Sequence, residues 1–425
     1  MIKRLVERHK DGEAIGLTSI CSAHPLVVEA AMRHALRRGQ RPLLIEATSN
    51  QVNQDGGYTG MTPVQFAKFL ATLARQVGFP VEALVLGGDH LGPNAWTHLS
   101  AAEAMAKAAT MVEAYIRAGF GKIHLDCSMR CADDPDVLPE ATIAERSAAL
   151  CRVAETAYAG SDIDAPVYVI GTEVPIPGGA TEDLAALAVT TPEAALRTIE
   201  LHRRAFAEAG VASAWPRVVA TVVQPGVEFD HLKVVDYRPA AAAQLSAAIV
   251  PVPGMIFEAH STDYQSADAL AALVADHFAI LKIGPGLTFA LREALWALEA
   301  IERETVAPAE CSQLRAVALE RMHAAPEHWR HHYESTGRQL DLQLQYSLSD
   351  RIRYYWPDAR IAAAQERLFA NLRASPPNLP LLSQYLPSAF AAVRAGRCTR
   401  DPADLTMAHI GATLDDYYGA CHRDA

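Results

Sequence analysis

A short, uninterrupted aliphatic run followed by a longer amphipathic segment recurs eight times in the first three hundred or so residues, and no other feature restricts the fold of this chain as strongly. The runs fall at residues 15–20, 42–46, 83–86, 122–126, 167–173, 217–224, 255–260 and 278–283. They are continuous rather than alternating, the pattern of strands buried on both faces of a parallel sheet. The segments between them carry helix punctuation. Pro25 suits a first turn, Thr62 with Gln65 and Ser100 with Glu103 have capping-box spacing, and Gly39, Gly119 and Gly210 mark stops. Eight strand-then-helix units over about 290 residues predict a closed TIM (β/α)8 barrel, since an open doubly wound sheet usually has about five to seven strands. No Gly-x-Gly-x-x-Gly follows the first run, which argues against a dinucleotide fold.

From about Pro308 the texture becomes helical and polar. The expected organisation is a barrel over residues 1–307 and an α-helical extension over 308–425 packed on it, with aromatics in the stretch from Tyr346 to Pro357 packing on the barrel or on a partner. His323, His328, His331 and His332 read as solvated surface, because their spacing gives no shared helix face for all four.

Composition removes several classes of function. A net charge of -11 and no basic stripe argue against nucleic acid, and no run reaches the roughly 18 apolar residues of a membrane span. The N-terminal stretch lacks the apolar core of a signal peptide, and the seven cysteines are irregularly spaced, so a reduced, cytoplasmic protein is expected. Cys21, Cys127 and Cys131 are read as small core residues.

The strand ends point to chemistry. Residues Gly87-Gly-Asp-His-Leu-Gly-Pro-Asn94 put an acid beside an imidazole where a buried strand ends, and other strands end alike. In a (β/α)8 barrel the carboxyl ends of the strands line one mouth. That mouth is expected to gather Glu46, Asp89, His90, His124, Asp126, Glu173, Gln224, Glu258, His260 and Asp263. Unpaired buried charges cost several kcal/mol each, and a divalent cation would relieve their repulsion. Imidazole with carboxylate is a zinc-type ligand set, manganese or cobalt being alternatives. The expected ligands are His90, Glu173 and His260, with His124 or Asp126 as the alternate. Asp89 is the candidate general acid or base, or else the partner that orients a ligand histidine. Asp126, Glu46 and Glu258 are further catalytic candidates.

Gly284-Pro-Gly286 opens a helix directly after the eighth run, where bare amides would suit a phosphate, although a plain turn reads the same way. Ser261, Lys282 and Thr288 are candidate helpers, and Ser19, Asn50 and Gln224 candidate substrate contacts. The polar loop Asn53-Gln-Asp-Gly-Gly-Tyr-Thr-Gly60 is a candidate lid.

Several long motifs together resemble one family. They are Cys21-Ser-Ala-His-Pro25, Ile45-Glu-Ala-Thr-Ser-Asn-Gln-Val-Asn-Gln54, Gly56-Gly-Tyr-Thr-Gly-Met-Thr-Pro63, Gly87–Asn94, Gly171-Thr-Glu-Val-Pro175, Val223-Gln-Pro-Gly-Val-Glu-Phe-Asp-His231, Glu258-Ala-His-Ser-Thr-Asp-Tyr-Gln265 and Tyr346-Ser-Leu-Ser-Asp-Arg-Ile-Arg-Tyr-Tyr-Trp-Pro357. The chain resembles the Z-type subunit of class II D-tagatose-1,6-bisphosphate aldolase over essentially its whole length. The resemblance implies a barrel protein of galactitol, N-acetylgalactosamine or tagatose catabolism acting on a ketohexose phosphate, by aldol cleavage or 4-epimerisation. It equally implies a non-catalytic subunit that stabilises a separate class II aldolase. Some relatives carry the label tagatose-6-phosphate kinase, a reading that the absence of a Gly-x-x-x-x-Gly-Lys-Ser/Thr loop weakens. By the same likeness His90 binds zinc, Asp89 protonates a substrate hydroxyl and His260 is a second ligand. A third aldolase histidine has no counterpart where Gln224 and Pro225 stand. A homo-oligomer is expected.

Overall fold

Each aliphatic run forms a parallel strand, because side chains on both of its faces find apolar or lumen partners. The computed structural model describes residues 1–161, 164–172 and 187–422. Within them β1 (Leu17–Ile20), β2 (Leu43–Thr48), β3 (Leu84–Leu91), β4 (Lys122–Leu125), β5 (Val167–Ile170), β6 (Val218–Val223), β7 (Ile256–Ala259) and β8 (Ile280–Ile283) pair in sequence order into a closed, all-parallel barrel. Closure falls at Ser19, which pairs with Leu44 of β2 on one side and Lys282 of β8 on the other.

Each strand is followed by an outer helix: α1 (Pro25–Arg38), α2 (Pro63–Val77), α3 (Ala101–Arg117), α4 (Glu140–Tyr158), α5 (Pro192–Glu208), α6 (Pro239–Ile249), α7 (Ala267–Ala275) and α8 (Pro285–Thr305). Both expected capping boxes are formed, at Thr62/Gln65 and Ser100/Glu103. The core lies between strands and helices. Beyond the expectation, the β6–α6 connection carries a small antiparallel hairpin, Glu228–Phe229 against Val234–Val235.

A lead-in helix, Ile2–Lys10, precedes β1, and the helices after α8 are α9 (Leu314–Ala324), α10 (Gly337–Tyr346), α11 (Ala359–Ala374), α12 (Leu379–Tyr385), α13 (Pro387–Arg394) and α14 (Pro402–Cys421). The last packs against α1, α7 and α8. Its Tyr417 hydroxyl donates to the Thr262 carbonyl at 2.7 Å, and the Gly16 amide donates to the Cys421 carbonyl at 3.0 Å.

The segment after α10 turns back over the barrel mouth. There the Leu348 amide donates to the His231 carbonyl at 3.0 Å, and the Tyr264 hydroxyl donates to the Leu348 carbonyl at 2.6 Å. This reversal corrects one expectation. His328 stacks on Tyr354 with centroids 5.0 Å apart, and His332 takes a bond from Arg351 at 3.0 Å, so neither is simply solvated. No helix of the described residues is long and apolar enough to cross a membrane.

Candidate active site

The site starts from an irregularity in β3. Neighbouring residues of a regular strand point to opposite faces, so Asp89 and His90 cannot both face the lumen of an unbroken one. The β3–β4 register shifts between Gly88 and Leu91, and His90 takes a left-handed φ of 50°. The bulge re-aims the pair, and both side chains line the mouth. It also explains why β3 runs to Leu91 instead of ending near Leu86. The glycines make room for it. A Cβ on Gly87 would lie 2.6 Å from the Glu46 side chain, and one on Gly92 only 1.6 Å from the Asp126 carbonyl oxygen.

Beneath the mouth the lumen holds buried ion pairs. Lys122 lies 2.6 Å from Glu46 and 2.7 Å from Glu258, while Lys282 lies 2.5 Å from Glu46 and 2.7 Å from Asp89. The sequence expectation is that a divalent cation relieves the converging acids; two buried ammonium groups already answer three of the carboxylates. Lys282 therefore works inside the lumen rather than as a free phosphate ligand. Burial favours the neutral Glu258, but Lys122, Lys282 and His260 hold its carboxyl well below the usual range. Burial acts likewise on Asp89, and His90, Lys282 and His124 outweigh it.

Three imidazoles sit above this layer. Ring centroids are 5.2 Å apart for His90–His124, 5.0 Å for His90–His260 and 5.2 Å for His124–His260. Each is held by its own carboxylate: His90 Nδ1 by Asp126 at 2.7 Å, His124 Nδ1 by Asp89 at 2.9 Å and His260 Nε2 by Glu258 at 2.9 Å. A carboxylate partner orients each ring, as in histidines that ligate metals, and His124 Nδ1 also takes the His90 amide at 3.3 Å. His124 Nε2 is buried without a hydrogen-bond partner among the described residues.

Ligand atoms of Asp89, His124, Glu258 and His260 all lie within 4.8 Å of one another, so this cluster can hold a metal ion. Both oxygens of Glu258 are engaged, by His260 and Lys122, whereas Lys282 and His124 meet the same oxygen of Asp89, which leaves His124, His260 and the other Asp89 oxygen with free capacity. His90 stands beside the set. Burial favours its neutral form, yet Asp89 and Asp126 raise its pKa above the ordinary value. His260 is driven the other way by burial, down to about 3.

The recess above them has a volume of about 80 Å³ and takes in Asn50, Asp89, His90, His260, Ser261, Asp263, Lys282 and Gly284 of the residues expected from sequence. Others are used elsewhere. Glu46 and Glu258 lie in the lumen below it, and Ser19 is buried beside Cys21 at 3.6 Å. Gln224 accepts from the amides of Gly226 and Val227, shaping its own turn. The bare amides expected at Gly284 and Gly286 both donate to Asp263, at 2.9 and 2.7 Å, and Thr288 lies 2.5 Å from Asp350. Burial pushes the Asp263 carboxyl up to about 6 against those two amides. Glu173 lies outside the described residues.

Sequence reasoning missed Lys122, and it missed Arg353 and Tyr354, which the extension brings to the recess wall. Lys122 did carry a signal. It shares the period-two face of His124 and Asp126, so a lysine there had to meet an acid.

A family described as D-tagatose-1,6-bisphosphate aldolase subunit GatZ/KbaZ-like matches residues 2–422. A solved structure described as a probable tagatose 6 phosphate kinase from Sinorhizobium meliloti 1021 is 51% identical, with a TM-score of 0.88 and coverage of 96% of this chain and 100% of that one. The glycerol-complexed fructuronate-tagaturonate epimerase UxaE from Cohnella laeviribosi is 14% identical, with a TM-score of 0.48 and coverage of 95% and 82%. A fructose-bisphosphate aldolase from Campylobacter jejuni is 13% identical, with a TM-score of 0.43 and coverage of 88% and 92%. At these values the last two carry no argument about chemistry.

Proposed function

The chain belongs to the D-tagatose-1,6-bisphosphate aldolase subunit GatZ/KbaZ-like family, and from that premise we propose that its barrel mouth is a divalent-metal site acting on a ketohexose phosphate, by aldol cleavage or 4-epimerisation. The observation that carries this reading is the buried Nε2 of His124, without a partner among the described residues, amid carboxylate-oriented imidazoles. A divalent cation there, zinc by ligand type with manganese or cobalt as alternatives, would supply Lewis-acid polarisation of a substrate carbonyl.

His124, His260 and Asp89 are the residues that would hold it. Lys122 and Lys282 keep the carboxylates beneath ionised and in place. His90 carries the proton. It lines the recess, and Asp126 fixes its Nδ1, which sets the ring to exchange a proton with a substrate hydroxyl. This exchanges the roles first expected of Asp89 and His90, because Asp89 is clamped between Lys282 and His124.

A second reading is favoured by the family's description as a subunit, namely support of a separate catalytic aldolase. The test is to purify the chain alone, add Zn, Mn or Co, and assay tagatose 6-phosphate, fructose 6-phosphate and tagatose 1,6-bisphosphate with and without ATP. Metal-dependent turnover without ATP is expected. No metal bound and no turnover, with rescue only of a co-expressed aldolase, would establish the supporting role instead. Turnover only with ATP would make the protein a kinase.

A further inference from the structure

The amides that open α8 are the usual anion seat of this fold, and here a protein carboxyl, Asp263, occupies them. A substrate phosphate must therefore find its counter-charge elsewhere in the recess. Among the described residues, the lysine and arginine side chains lining it are Lys282 and Arg353. Lys282 is tied to Glu46 and Asp89.

Arg353 is different. Its Nη1 donates to the carbonyls of Ser349 and Asp350 and its Nη2 to the Tyr354 hydroxyl at 3.0 Å, so its partners are two backbone oxygens and a phenol, none of them a carboxylate. The guanidinium is pre-oriented at fixed geometry with no carboxylate of the described residues in hydrogen-bond contact, the state in which an arginine receives a phosphate at least desolvation cost. Asn50 and Ser261, the latter held at a left-handed φ of 53°, add polar groups to the same recess.

We propose that Arg353, delivered to the barrel mouth by the helical extension, binds the terminal phosphate of the substrate. The assignment rests on the ketohexose-phosphate reading for the identity of the ligand, but the anion site itself can be tested without any sugar. The residue acts in binding and takes no part in bond making.

The experiment titrates inorganic phosphate into the wild-type full-length chain and the Arg353→Gln and Arg353→Lys variants by calorimetry, with acetate as the carboxylate control. Metal content and thermal midpoint are followed in parallel. The expected result is phosphate binding in the wild type, tighter than acetate, weakened about 10-fold or more in Arg353→Gln and less in Arg353→Lys. The variants' metal content should not change. Arg353→Lys keeps the charge and can still bond one carbonyl, so it serves if Arg353→Gln does not fold. Equal phosphate affinity in all three chains, no phosphate binding to the wild type, or tighter binding of acetate would each overturn the proposal. Phosphate binding that depends on Arg353 while tagatose 6-phosphate and fructose 6-phosphate fail to bind would sustain the anion site and defeat the sugar reading alone.

Discussion

At the scale of single residues, the site divides its labour by what each side chain has left after its internal bonds are made. His124 has no partner at Nε2 among the described residues, whereas His90 is tied to Asp126 and carries a raised pKa. His124→Ala and His260→Ala should therefore lose bound metal, read by atomic absorption, while His90→Ala should keep the metal and lose turnover by about 100-fold or more. Metal loss in His90→Ala would return that residue to the ligand role its sequence context first suggested. Lys122 is the other decisive residue, because it faces two carboxylates with no exposed surface on any of the three. Lys122→Met should destabilise the chain by about 3–5 kcal/mol in urea unfolding, since it strands buried charge. Combining it with Glu258→Gln should recover part of that loss, which a double-mutant cycle would read as coupling.

At the scale of elements, β3 and the segment after α10 do what regular structure cannot. The β3 bulge lets consecutive residues share one face, and the Ser347–Trp356 stretch reaches back over the mouth. Asp350 sits in that stretch at a left-handed φ of 46°, against Thr288 of α8. Burial pushes its carboxyl up to about 7, although Arg292, Thr288 and Arg353 favour ionisation. The folded state thus holds this proton more tightly than the unfolded chain does. Its contribution to stability is full below the unfolded value near 3.8 and is lost as pH rises through about 7. The slope of one such group is at most about 1.4 kcal/mol per pH unit. Urea midpoints between pH 5 and 7.5 should fall more for the wild type than for Asp350→Asn. Parallel declines in the two chains would show that Asp350 titrates normally.

At the scale of the whole molecule, the extension is part of the barrel's own closure. Tyr417 of α14 reaches the loop after β7 and satisfies the buried Thr262 carbonyl, so Tyr417→Phe should cost about 1–3 kcal/mol and lower the thermal midpoint. An unchanged midpoint would mean that Thr262 finds another donor. Much of this architecture was legible in the chain. Eight continuous aliphatic runs dictate eight strands buried on both faces, because only a closed parallel sheet wrapped in helices hides all of them. The acids and imidazoles at the strand ends were legible too, since polar residues at those positions have nowhere to point but the mouth. What the chain could not reveal is which atoms each of them has left to offer. Lys122 and Lys282 neutralise acids that lie far away in sequence, Asp263 takes the amides of Gly284 and Gly286, and Arg353 arrives from an extension some seventy residues beyond the last strand. Local pattern fixed the strands because burial of a run is decided by its neighbours in sequence. The site's charge balance and its counter-ions were decided only by tertiary structure, because ion pairing depends on distances of a few ångströms between groups that the sequence leaves tens to hundreds of residues apart.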